Sequence, residues 1–207
     1  MPISALIGET EGFATKLYST IDVPRFDNTE RIRVSDVACS MSLEHWDAAR
    51  SLLNGGLLPS ALVVHRAQFE ALVRSVWVLY AASDEKIGKL SATLSLESEQ
   101  AAKNLPQIAE MMADLSTKAP PQAYDALNRF KDNSWKALNS YAHAGIHPLR
   151  RHEEGYPVAL LASVLRNANG LAVVAGMQAA VLSGRQPLVK EVLSVCLAHP
   201  SCMPPPL

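Results

Sequence analysis

The chain is short of cysteine. Its 207 residues include only Cys39, Cys196 and Cys202, an odd number without CxxC spacing. Neither a disulfide framework nor a zinc-ribbon pattern can be read from them, so a reducing compartment is expected. There is no excess of either charge: 19 Lys and Arg against 20 Asp and Glu leave a formal net charge of −1. That balance excludes a protein that coats nucleic acid through bulk charge, and any such contact would need a local basic patch. The N-terminal stretch MPISALIGETEG has no basic n-region and carries Glu9 and Glu11, so it does not read as a signal peptide. A cytoplasmic location follows as the expectation.

Long uninterrupted apolar runs are also missing. Residues 57–82 are broken by His65, Arg66, Glu70 and Arg74, and residues 157–183 by Arg166, Asn167 and Asn169. Neither offers the roughly 18–20 consecutive apolar residues of a span. Both read as buried helices, and no membrane contact is expected. Strict alternation, a βαβ pattern and internal repeats are absent as well.

What is present is 48% apolar and 19% charged residues, the balance of one compact domain with a real core. Apolar residues recur at helical spacing along almost the whole chain. Helices are expected over 3–21, 30–54, 57–82 and 84–101, then over a short segment after Pro106, 121–143, 157–184 and a last stretch from Pro187. Gly55 and Gly56 stop the second, and Pro157 opens the long one near the C-terminus. Residues 144–156, rich in Gly, Pro and Arg, read as a loop. The expectation is an all-α, antiparallel up-and-down bundle of about six to seven helices. It fills residues 1–199, with 200–207 as a flexible proline-rich tail.

Two polar stripes stand out. On the 57–82 helix, Arg66, Glu70 and Arg74 fall at i, i+4 and i+8 between an apolar face and a small-residue face of Ser60, Ala67, Ala71 and Ser75. Two guanidiniums against one carboxylate leave a positive charge over, which is costly inside a protein unless it is paired. Three readings stay open: a carboxylate from another helix balances it, the stripe binds a phosphate or carboxylate, or it is a solvated face supported by i, i+4 pairing. His65, on the apolar face, reads as a core histidine.

The second stripe is Lys136, Asn139 and His143 at the end of the 121–143 helix, with His147, Arg150, Arg151 and His152 close behind. An imidazole titrating near neutrality beside a fixed cation suits general acid–base chemistry on a phosphodiester. His143, His147 and His152 offer a metal alternative that Gly145 and Pro148 disfavour by breaking the helix. The bland alternative is a helix cap followed by solvated arginines. No cofactor is expected, and whether the chain is an enzyme stays open.

The segments HRAQFEALVRSVWVLY (65–80) and LNSYAHAGIHPLRR (138–151) resemble a family of uncharacterised bacterial helical proteins related to the HEPN superfamily. The resemblance covers about 40–185. It implies an up-and-down bundle, a homodimer, and a link to RNA cleavage, nucleotides, toxin–antitoxin pairs or phage defence. On this reading His143, Asn139, Lys136 and Arg150 form one functional edge, with His143, Lys136 and Asn139 as the catalytic candidates and Arg150 and Arg151 as anion-binding or ionic-network candidates. Active HEPN ribonucleases carry an arginine four to six residues before the histidine. Positions 136–138 here are Lys, Ala and Leu, and lysine lacks the bidentate fork. A non-catalytic dimerisation or protein-interaction module is the alternative, and a metal-dependent hydrolase the third.

Overall fold

A computed structural model describes residues 2–205. Among them the chain is all-helical. The helices are α1 (Ile3–Ile21), α2 (Glu30–Asn54), α3 (Leu58–Tyr80), α4 (Asp84–Ser91), α5 (Leu96–Ala102), α6 (Ile108–Lys118), α7 (Pro121–Ala142), α8 (Ile146–Glu154), α9 (Val158–Leu182) and α10 (Gln186–Ala198), followed by a 3₁₀ turn at Pro200–Cys202.

The ten α-helices exceed the expected six to seven, and two of them, α5 and α8, lie where the sequence suggested one longer helix and a loop. The expected 84–101 helix breaks after Ser91, because Ser95 starts a helix of its own: its hydroxyl accepts from the Ser98 N–H at 3.2 Å, while the Ser95 N–H donates to the Ser98 hydroxyl at 2.9 Å. Such a reciprocal cap satisfies donors that a new helix leaves open. The expected 144–156 loop contains α8. Pro148 does not prevent it, since it is the third residue of the helix, where a missing N–H costs nothing. The corner before α8 places Ala144 at φ 49°, in the left-handed region.

α2 and α3 form the most extensive pair and run antiparallel. The Ser35 hydroxyl donates to the Ser75 carbonyl at 2.9 Å, and the Ser42 hydroxyl to the Gln68 carbonyl at 2.9 Å. These are close helix approaches that small side chains permit. Trp46, Trp77, Phe13 and Phe69 are fully buried, each contributing roughly 1.5–3 kcal/mol or more through apolar burial. α9 packs against this pair, and α1 and α10 pack on α9 and on each other.

Buried polar side chains fix how α9 sits. Asn169 accepts from Trp46 Nε1 at 3.0 Å and donates to the Thr10 hydroxyl at 3.0 Å and the Cys202 carbonyl at 2.9 Å. Gln178 donates to the Ser35 hydroxyl at 3.0 Å. The expectation of a flexible tail therefore needs correcting over residues 200–203. Cys202 and Met203 are buried, and Arg166 Nε holds the Ser201 carbonyl at 3.0 Å. α9 is long and apolar enough to cross a membrane: its best 18-residue window averages a hydropathy of 1.6, and 39% of that window is buried in the fold.

Candidate functional site

The α3 stripe divides in two. Arg66 Nη2 meets Glu70 Oε1 at 2.8 Å, and its guanidinium lies 5.0 Å from the centre of the Trp135 ring on α7. Arg66 is therefore held by a carboxylate and an aromatic face. Arg74 is not. Its Nη2 donates to the Pro106 carbonyl at 3.2 Å and its guanidinium lies 5.5 Å from the Trp77 ring. Nη1 is buried without a partner. Asp114 of α6 is engaged elsewhere: it accepts from Trp77 Nε1 at 2.9 Å and pairs with Lys118 at 3.5 Å. Burial pulls the Arg74 guanidinium below its usual pKa, and the charge of Glu70 acts against that.

Glu70 and Arg74 open onto a pocket of about 290 Å³ between α2, α3 and α6. His45 of α2 and Gln107, just before α6, share its wall, and Met41, Ile108 and Met111 supply apolar surface. Ala67 and Ala71 floor it, where larger side chains would fill the space. His45 and Gln107 escaped the reading of the sequence. The one available signal for His45 was its i+4 position after Met41, on a turn of α2 that also carries Glu44.

On the α7 edge, Lys136, Asn139 and His143 are exposed, and Asp132 on the same stripe is engaged by Asn128 at 3.0 Å. Arg150 is occupied by two carboxylates of its own helix, Glu153 at 3.0 Å and Glu154. Arg151 is half-buried beside Tyr141 and Tyr156, whose hydroxyls burial pushes up, to about 12 for Tyr141. His147 stacks on Tyr141, with ring centres 6.5 Å apart. His143, His147 and His152 do not converge, and among the described residues no three His, Cys, Asp or Glu side chains are grouped to hold a metal. The metal reading thus loses its ligand set. No α7 residue stands in the wall of the Glu70–Arg74 pocket, while Arg66 of the same stripe lies over Trp135 of α7.

His65 is the core histidine that the sequence suggested. It is 1% exposed, with Nδ1 2.9 Å from Gln68 Oε1 and its ring edge-on to Phe130 at 5.1 Å. Gln68 Nε2 is spent on the Ala168 carbonyl at 2.9 Å, so the amide oxygen faces the ring and Nδ1 carries the hydrogen. Burial lowers its pKa to about 4.

Taken together, these features define an all-helical fold with an arginine that forms no ion pair among the described residues, at the edge of a small inter-helix pocket. The chain belongs to a family of unknown function, DUF6988, whose family model matches residues 39–205. That match takes in both stripes and the docked tail and leaves out α1. No curated protein and no solved structure matches the chain.

Proposed function

We propose that the chain is a non-catalytic helical module that pairs with a second copy of itself along a groove between α7 and α9. The observation that carries this reading is an apolar groove beside α9 that one chain leaves open, with Val181 43% exposed at its edge. Val173, Met177 and Val181 of α9, spaced i, i+4 and i+8, line this groove of about 430 Å³ with Val76 and Tyr80 of α3 and Ala123 and Ala126 of α7. Ridges of this spacing facing small alanines suit the insertion of another helix. A two-fold arrangement gives each copy the same patch. Covering the Val and Met side chains would contribute up to roughly 1.5–3 kcal/mol each, provided the interface extends to about 800 Å² per partner. Light scattering of the purified chain is expected to show a dimer that Met177→Glu converts to a monomer with native helical content. A wild-type chain that stays monomeric at high concentration contradicts the proposal.

A second reading draws on the exposed alignment of Lys136, Asn139 and His143 and on the HEPN resemblance. On it, this edge binds or cleaves RNA in a defence or toxin–antitoxin setting. The full carboxylate pairing of Arg150 weakens the local basic patch such a role requires. Incubation with a mixed RNA pool decides it. Degradation or retention of RNA that His143→Ala removes supports the reading, and RNA left intact and unbound refutes it.

A further inference from the structure

We propose that the pocket between α2, α3 and α6 binds a small organic carboxylate with an apolar body, its head group held by Arg74 and His45. The inference is independent of self-association, because the α7/α9 groove shares no residue with this pocket.

Charge is the first ground. Arg66 and Glu70 neutralise each other at 2.8 Å, which leaves Arg74 as the excess charge of the stripe. A buried cation without a counter-charge of its own is costly, and here the fold supplies the Pro106 carbonyl, the Trp77 ring and the field of a Glu70 that Arg66 already pairs. One Arg74 nitrogen has no acceptor at all. A monoanion beside it supplies the missing counter-charge, and a charge-assisted hydrogen bond between a guanidinium and a carboxylate is among the stronger ones. His45 stands in the same wall and adds a second donor. The start of α6 contributes little, because Glu110 already accepts the Gln107 N–H at 2.8 Å.

Size and lining are the second. At about 290 Å³ the pocket lies at the small end of ligand sites, which run from about 300 to 1,000 Å³. That size suits an acid of about six carbons. Met41, Ile108 and Met111 supply a flexible apolar wall for the chain. Glu70 stands at the rim beside Arg74, so a ligand with a second negative charge is disfavoured. A zwitterion would leave the excess positive charge uncompensated.

The test is calorimetric titration of the full chain with 4-methylpentanoate, with leucine and inorganic phosphate as comparisons. Leucine keeps the carbon skeleton and adds an ammonium. Saturable one-to-one binding of 4-methylpentanoate is expected at a Kd of about 1 mM or tighter, with leucine and phosphate each about tenfold weaker. Arg74→Met is expected to abolish binding and His45→Gln to weaken it severalfold, with cooperative melting retained in both. Should Arg74→Met fail to fold, Ala71→Leu fills the pocket without removing a charge and is expected to abolish binding in the same way. No saturation with 4-methylpentanoate, binding that survives Arg74→Met or Ala71→Leu, or tighter binding of leucine or phosphate would each overturn the proposal.

Discussion

His65 makes the stability of this protein depend on pH through one buried ring. In the fold, burial lowers its pKa from 6.5 to about 4. The Gln68 amide oxygen takes the Nδ1 hydrogen, and Phe130 packs edge-on against the ring. The unfolded chain therefore binds a proton at a pH where the native chain does not. Stability is fully present above pH 6.5 and declines as the pH falls from there towards 4, below which both states are protonated and the loss is complete. The full loss is about 3 kcal/mol, of which about 2 kcal/mol falls between pH 7 and pH 5. Carboxylates contribute mainly at lower pH, and the other five histidines are common to the wild type and a His65 variant. Urea unfolding followed by far-UV circular dichroism at pH 7, 6 and 5 measures the slope. His65→Leu starts from a lower stability, because Gln68 Oε1 loses its partner, yet its dependence on pH is expected to be flatter by about 2 kcal/mol over that interval. Parallel wild-type and variant curves would refute the assignment of the ring as buried and neutral.

Two further outcomes follow from the core. Asn169→Ala leaves the Trp46 indole N–H and the Cys202 carbonyl without their partner. It is expected to cost about 3 kcal/mol and to lower Tm by roughly 6–12 °C, and a loss under about 1 kcal/mol in urea contradicts the role given to it. Burial pushes the thiols of Cys39 and Cys202 up to about 12 and about 11, so a thiol-specific disulfide reagent is expected to label neither promptly in the native chain. Half-buried Cys196, whose thiol burial also pushes up, is expected to react first, with the other two appearing only in denaturant.

The all-α class was legible because apolar residues at helical spacing need no knowledge of their partners. The helices that went unread are those decided by a few local contacts. The start of α5 rests on the reciprocal bonds between Ser95 and Ser98, which look like ordinary loop serines in the sequence. α8 was hidden by Pro148, a residue that breaks a helix anywhere but in its first turn. The tail looked free because proline dominates its composition, while its anchoring depends on Asn169 and Arg166, more than thirty residues away in α9. Asn169 itself carried a usable signal, being an amide inside the most apolar helix of the chain.

The α3 stripe shows where such reading stops for physical reasons. Spacing alone establishes that Arg66, Glu70 and Arg74 share a face and that one positive charge is left over. Whether a remote side chain cancels that charge depends on tertiary neighbours. In the fold, the group that meets Arg74 is the backbone carbonyl of Pro106, which no residue type announces. Structural and binding roles for Arg74 then diverge. If the arginine serves stability, replacing it with methionine should weaken the fold through its lost hydrogen bond and its packing on Trp77. If it serves a ligand, the same change removes a poorly compensated buried charge, a substitution that often leaves stability unchanged or raises it. A small neighbouring floor of Ala67 and Ala71 agrees with the second case, since a purely structural arginine would gain from larger side chains packed against it.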